Sequence, residues 1–306
     1  MKPQIRPSTV AVTSSFVVAC LLAAPSPVSA QVRIDSRALE LEFSGRLQFQ
    51  LQTSSCDDAS PAPTSACAEE APGLDMFLRR ARVSLEATID ERLTLKLEPD
   101  FSDVDEVSLK DAWGRYAFGS GLAVKAGHFK RPFDGFHLTS SSHLPFERAV
   151  VVPGVPSARL ASYSGLTKAS GLSDRDIGFT LEGNPGDGPV TFWLGAFTGG
   201  SESSAGDSNT EKQFVGRVQV ALDVGATPLE LAAAVAASDA PYTAADGGTD
   251  ADYYTDFELW AERGGWDRPG LLVQTGLVLG DNPRLDESGA TYDLSLIHIS
   301  EPTRPY

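Results

Sequence analysis

Basic side chains alternate with apolar ones in several segments of the N-terminal third of the sequence. A guanidinium group pairs with two oxygens of a phosphate or carboxylate at once, and an ammonium group adds a point charge. A row of such groups along one wall attracts small anions, and it lets them leave again if no single site binds too tightly. The pattern therefore predicts a surface that binds or conducts anions, formed by Arg46, Arg80, Arg82, Arg92 and Lys96.

Acidic side chains alternate in the same segments, so a second interpretation stays open. Glu42, Glu86, Glu98 and Asp100 fall on the same faces as the bases. In this interpretation the acids pair with the bases and only rigidify the wall, and the wall then has no preference for anions.

The histidines and serines do not form a catalytic pattern. His137 and His143 flank Ser140–Ser142, as a Ser–His hydrolase would need, but no Gly-x-Ser-x-Gly nucleophile elbow occurs. The spacing of these histidines and His128 does not match that of metal ligands on one helix or one hairpin. The sequence therefore predicts no enzyme, no catalytic residue, no metal and no cofactor.

The segments that carry the charged residues have a period of two. Between Leu39 and Gln52 the leucines and phenylalanines share one face, and Arg46 and the glutamines share the other. Phe77–Ile89 and Arg92–Phe101 behave in the same way, with a charged polar face that suits a water-filled lumen. This period predicts β-strands of the length that crosses a bilayer. Further strands are predicted at Val107–Phe118, Leu122–Phe129, Asp176–Gly183, Val190–Thr198, Gln213–Leu222, Leu229–Val235, Tyr253–Glu262 and Leu271–Gly280.

Connections between these strands alternate between very short and very long. The links at Ile89–Arg92 and Gly119–Gly121 are tight, whereas Thr53–Leu74, Arg131–Arg175 and Gly199–Thr210 are long and polar. Short turns on one side and long loops on the other are typical of outer-membrane barrels. The pattern thus predicts one barrel of about eleven visible strands.

The N-terminus predicts export. Lys2 and Arg6 precede an apolar stretch, and Val28-Ser29-Ala30 fits a cleavage site, so residues 1–30 are expected to be a signal peptide. Cys20 leaves a lipoprotein cleavage site as the alternative. The chain carries a formal net charge of −16, which argues against nucleic acid as a partner.

The remaining cysteines and the C-terminus lead to two further expectations. Cys56 and Cys67 lie in one polar loop of an exported chain, which favours a disulfide over two free thiols. The segment 295–306 contains two prolines, breaks the strand pattern and resembles a translated sequencing adapter. We therefore expect residues 31–294 to form an incomplete barrel and residues 295–306 to be a non-native tail.

Several short strings occur in a fixed order between Leu39 and Gly200. They read Phe77-Leu-Arg-Arg-Ala-Arg82, Leu109-Lys-Asp-Ala112, Gly127-His-Phe-Lys-Arg-Pro-Phe133, Phe146-Glu-Arg148, and Arg175-Asp-Ile-Gly178 followed by Phe197-Thr-Gly-Gly200. Together they resemble the phosphate-selective porin O/P family of outer-membrane proteins.

This resemblance implies a barrel of about 16 antiparallel strands with an inward-folded third loop, assembled as a homotrimer. It also implies uptake of phosphate or other anions through basic residues of the pore. By motif position, Lys130 and Asp111 match the lysine and aspartate of the family's constriction, and Arg80 and Arg82 match its basic strand.

The sequence as a whole predicts an all-β protein, a transmembrane antiparallel β-barrel in the outer membrane of a Gram-negative bacterium. The predicted function is that of a porin that passively conducts small hydrophilic solutes, with anions such as phosphate as its partners alongside outer-membrane lipid. The alternative is an exported β-protein that serves as a surface or structural module without a conducting pore.

Overall fold

In the computed structural model, the described part of the chain forms one antiparallel sheet of 13 strands, and each strand pairs with its neighbours in sequence. The structure describes residues 32–35, 39–53, 74–103, 105–140, 167–168, 170–199, 212–225, 227–243, 249–264, 273–281 and 293–300. The strands are β1 (Val32–Asp35), β2 (Leu39–Thr53), β3 (Leu74–Ile89), β4 (Leu93–Asp100), β5 (Ser108–Gly119), β6 (Leu122–Lys130), β7 (Arg175–Gly183), β8 (Val190–Phe197), β9 (Gln213–Val224), β10 (Thr227–Thr243), β11 (Thr249–Arg263), β12 (Val273–Asp281) and β13 (Asp293–Ser300).

The all-β, antiparallel prediction is confirmed. Each of the strands β2 to β12 overlaps one of the eleven predicted segments, and β1 and β13 are additional. The bounds differ most at β10, which is predicted at Leu229–Val235 but continues to Thr243. Among the described residues, β1 pairs with β2 and β13 pairs with β12. β13 includes position 295, where a non-native tail is expected to begin. That expectation stays a prediction, as do those for residues 1–30 and 31–294.

The sheet has apolar side chains on its exposed outer face and polar side chains on its buried inner face, which is the reverse of a water-soluble protein. Large apolar side chains are exposed on the outer face, for example Leu47 at 75% and Phe49 at 58%. Charged and amide side chains are buried on the inner face, among them Arg217, Gln213 and Glu258. Because a continuous apolar exterior is stable only against an apolar medium, the outer face fits lipid and the inner face fits a polar lumen.

A β-bulge in the first long hairpin corrects one sequence interpretation. Gln48 lies opposite Arg80, but its neighbour Phe49 lies opposite Leu78, so Arg79 is the extra residue. The sequence pattern places Phe77 on the apolar outer face, and this is wrong. Phe77 lies opposite Gln50 instead, while Met76 and Leu78 are exposed. One extra residue in a strand reverses the faces of the side chains on one side of it relative to those on the other.

The connection after β6 turns inward instead of running over the outside. Residues 131–140, which we call the inward segment, contain a one-turn helix, α1 (Gly135–Leu138), and the buried Arg131, Phe133 and Asp134. Phe133 packs in an apolar cluster with Phe129, Leu172, Phe197 and Val215. Within the described residues no helix is long and apolar enough to cross a membrane.

Candidate functional site

The inward segment reaches the inner faces of distant strands. Arg217 on β9 donates from Nη1 to the carbonyl of Phe133 at 2.5 Å and to Oε2 of Glu258 at 2.7 Å. Glu258 on β11 accepts a hydrogen bond from the Gly135 backbone N–H at 3.0 Å through its other oxygen. Both charged side chains are almost fully buried. The expected inward-folded loop is therefore present for residues 131–140.

The helix α1 is held at both ends. Asp134 caps its start by accepting from the His137 N–H at 2.9 Å, and it also accepts from the Thr167 hydroxyl at 2.5 Å. Near its end, Lys130 Nζ donates to the His137 carbonyl at 2.6 Å. These contacts fix Lys130 between the barrel wall and the inward segment.

Asp174, just before β7, forms the ionic anchor of this region. Its carboxylate lies 3.4 Å from His137 Nε2 and 2.5 Å from Lys168 Nζ. Burial opposes its ionisation, but the hydrogen bond from His137 and the charge of Lys168 outweigh burial and hold the pKa of Asp174 well below its usual range. Burial lowers the pKa of His137, although Asp174 favours its charged form. Burial and Asp174 therefore act on the pKa of His137 in opposite directions, and burial has the larger effect.

A cavity of about 450 Å³ lies between the inward segment and the wall of β2 to β7. We call it the basic cavity, because six basic and two acidic side chains line it. The bases are Arg46, Arg82, Lys96, Lys125, Lys130 and Arg175, and the acids are Glu98 and Asp111. The lining thus has the opposite sign to the chain as a whole, whose formal net charge is −16.

Most of the residues that the sequence predicts for anion binding meet at the basic cavity. Those that line it are Arg46, Arg82, Lys96, Asp111 and Lys130. Arg80 is buried but does not line the basic cavity, and it donates to Gln48 Oε1 at 2.5 Å. Arg92 does not join them. It lies exposed in the turn between β3 and β4, because β3 ends at Ile89 and β4 begins at Leu93.

Acids of the same wall pair with some of these bases, as the second interpretation of the sequence expects. Arg82 Nε lies 2.8 Å from Asp100, and Lys96 Nζ lies 3.6 Å from Glu98 and 3.9 Å from Asp111. Asp111 is shared with Arg175, whose Nε lies 2.8 Å away. Arg82, Lys96 and Arg175 therefore each have a carboxylate partner, yet bases still outnumber acids in the lining of the cavity.

The sequence interpretation did not select Lys125, which is central to the site. Its ammonium lies 4.3 Å from the ring centre of Trp113 and 4.6 Å from that of Phe129. Cation–π contacts of this kind hold an ammonium at one place over the rings. The alternation Lys125, Gly127, Phe129 along β6 is the sequence signal that places Lys125 in the lumen.

A second cavity, of about 380 Å³, lies on the other side of the inward segment toward β8 to β11. We call it the mixed cavity, because three bases and three acids line it. The bases are Lys125, Lys130 and Arg217, and the acids are Glu182, Glu230 and Glu262. Lys125 and Lys130 line both cavities and therefore mark the junction between them.

Other predicted features lie outside the described residues. These are the cysteines Cys56 and Cys67 and the motif Phe146-Glu-Arg148. Within the described ranges, no group of three or more His, Cys, Asp or Glu side chains could hold a metal ion.

Comparison with known proteins gives one family match. The family described as phosphate-selective porin O and P matches residues 69–255, more than half of the chain. Comparison with curated proteins gives no match.

Solved structures with a similar arrangement include three structures of two bacterial proteins. OmpF of Salmonella typhi in complex with daunomycin is 11% identical with a TM-score of 0.42, over 88% of this chain and 87% of that one. A loop L8 deletion mutant of OmpT, an outer membrane protein of Vibrio cholerae, is 12% identical with a TM-score of 0.39, over 86% and 87%. The in-vitro folded trimer form of OmpT from Vibrio cholerae is 13% identical with a TM-score of 0.40, over 86% and 83%.

Proposed function

Because this chain belongs to the phosphate-selective porin O and P family, we propose that it conducts small anions, phosphate among them, through its lumen. Family membership makes it a porin of the bacterial outer membrane. The proposal concerns the selectivity of the channel and the residues that produce it.

The observation that carries the proposal is the charge of the basic cavity. Six bases against two acids line it, although acids outnumber bases in the chain as a whole. Ion selectivity depends on the charges that line a constriction and not on the total charge of the protein. An anion in this cavity meets guanidinium and ammonium groups from β2, β3, β4, β6 and β7.

The acids in the lining favour conduction, because they weaken the binding of an anion to any one base. Asp111 lies between Lys96 and Arg175, and Glu98 lies near Lys96 and Arg82. A phosphate that approaches these bases competes with carboxylates that already hold them. Such competition weakens each single site, so that an ion attracted by the whole row is released from any one member.

The reversal potential of the full chain in a planar bilayer tests the proposal. In a KCl gradient we expect a potential of the sign that chloride permeation produces, and added phosphate should reduce the chloride current by occupying the basic cavity. A potential near zero or of the cation sign would leave the porin without anion selectivity. The absence of any channels would instead support the non-conducting alternative.

We further propose that the protein assembles as a homotrimer, which family membership supports. The mass of the detergent-solubilised, unheated protein tests this assembly. A monomeric mass under conditions that keep the barrel folded would contradict it.

A further inference from the structure

We infer that the mixed cavity binds a zwitterionic amino acid with an apolar side chain. The inference rests on the proposed function, because such a solute reaches the cavity only through a conducting lumen. The cavity volume of about 380 Å³ falls within the range of small-molecule sites, roughly 300–1,000 Å³. Its lining offers hydrogen-bond donors, carboxylates and aromatic rings.

Two buried donors in the lining have no acceptor among the described residues. Thr180 on β7 is 1% exposed, and its hydroxyl has no hydrogen-bond partner there. Arg217 is 2% exposed, and its Nε–H has none either, although Nη1 is bonded to Phe133 and Glu258. A buried donor without an acceptor is costly, so a bound acceptor group stabilises both.

The positive charge of Lys125 favours a carboxylate as this acceptor. Lys125 on β6 lies directly opposite Thr180 in the strand register and lines the same cavity. Hydroxyl, guanidinium and ammonium donors together match the oxygens of a carboxylate group.

Carboxylates on β10 and β11 supply the opposite charge. Glu230 and Glu262 lie directly opposite each other in the register of these strands, and both line the mixed cavity. Like charges placed opposite each other are destabilising, and a cation between them removes the repulsion. Because bases and acids are equal in number here, a simple anion gains little, whereas a solute with one charge of each sign satisfies both walls.

Apolar side chains complete the lining. Phe129, Leu138 and Trp193 also line the mixed cavity. An inorganic ion gains nothing from aromatic surface, but an apolar side chain is removed from water against it. This combination selects an amino acid over both phosphate and a small polar zwitterion.

Block of the chloride current by three compounds with the same ring tests the inference. The full chain is placed in a planar bilayer, and phenylalanine, 3-phenylpropionate or 2-phenylethylamine is added. We expect phenylalanine to halve the current at a concentration about tenfold lower than the two singly charged compounds, because only phenylalanine pairs with both walls.

Two variants and a matched control locate the site. Thr180→Val should raise the half-blocking concentration of phenylalanine about three- to tenfold, and Glu230→Gln should remove its advantage over 3-phenylpropionate. Thr191→Val changes a threonine of β8 that lines neither cavity and should have no effect. The presence of chloride channels shows that each variant has folded.

The outcomes separate this inference from the proposed function. Equal block by all three compounds, or no effect of Thr180→Val, would overturn the amino-acid site while the anion channel stands. Absence of any chloride current in the unmodified protein would overturn both.

Discussion

At the scale of single residues, the effect of an arginine on ion passage depends on whether it lies within a strand or in a turn between strands. Arg46 lies in the middle of β2 and lines the basic cavity, whereas Arg92 lies in the exposed turn after β3. A charge in a confined lumen acts on a passing ion at short range, but a charge in open solvent is screened within about 10 Å.

This difference predicts the result of two matched substitutions. Arg46→Gln should reduce the ratio of anion to cation permeability about two- to fivefold, because one unit charge at about 4 Å in water contributes about 1 kcal/mol. Arg92→Gln should leave the ratio unchanged. Reversal potentials in a KCl gradient measure both, and an equal effect of the two substitutions would contradict the placement of the basic row.

At the scale of secondary-structure elements, the hairpin of β5 and β6 depends on a glycine. Gly127 has φ of +131°, and a Cβ atom there would lie 2.2 Å from the carbonyl oxygen of Ala112 and 2.7 Å from the Cα of Trp113. Both obstacles are backbone atoms, which cannot move aside as a flexible side chain would. Trp113, whose indole lies under the Lys125 ammonium, therefore depends on the absence of a side chain at position 127.

Gly127→Ala should destabilise the folded protein by at least about 1–3 kcal/mol, since both the backbone conformation and the contact are unfavourable. Gly216→Ala is the control, because a Cβ atom there meets only side-chain carbons of Leu194 and Val235 at 3.5 Å. Urea titration of the fraction folded in lipid vesicles measures both variants. Equal midpoints would show that the hairpin can shift to admit the methyl group.

The inward segment, which follows β6, is held in place by side chains of the distant strands β9 and β11. Arg217 and Glu258 are both buried and both bond to its backbone, at Phe133 and Gly135. Removal of one partner from such a pair leaves an uncompensated buried charge, which is strongly destabilising. The segment is thus a fixed divider between the basic and mixed cavities.

At the scale of the whole molecule, the apolar exterior requires lipid. Leu47, near the middle of β2, is 75% exposed, and Ser44 on the same strand lines the basic cavity. A charge on the outer face must enter the hydrocarbon, whereas a charge on the inner face stays in a polar lumen.

Leu47→Lys should therefore lower the folding stability in lipid vesicles by about 2–4 kcal/mol if this position lies near the bilayer midplane. Ser44→Lys should cost much less and should increase anion selectivity, because it adds a seventh base to the lining of the basic cavity. Heat-modifiable gel migration after urea titration measures the stability, and reversal potentials measure the selectivity. A neutral effect of Leu47→Lys would argue that this face meets water.

The alternation of residue types along the chain is enough to predict which face of most strands is apolar. Successive side chains of a strand point to opposite faces, so the period of two along β2 to β12 is a local property that needs no tertiary contact. For the same reason it placed Arg46, Arg82 and Lys96 on the polar face, and all three line the basic cavity. Asp111 and Lys130, which also line it, were expected there only from the family resemblance.

What the polar faces enclose depends on contacts between residues far apart in the chain. The bulge at Arg79 reverses the face of Phe77, and it is visible only from the pairing with β2. The contact of Arg217 with Phe133 joins residues 84 positions apart, and residues of six strands and of the inward segment line the mixed cavity. Such contacts depend on how far the sheet curves around the inward segment, and no local periodicity encodes that distance.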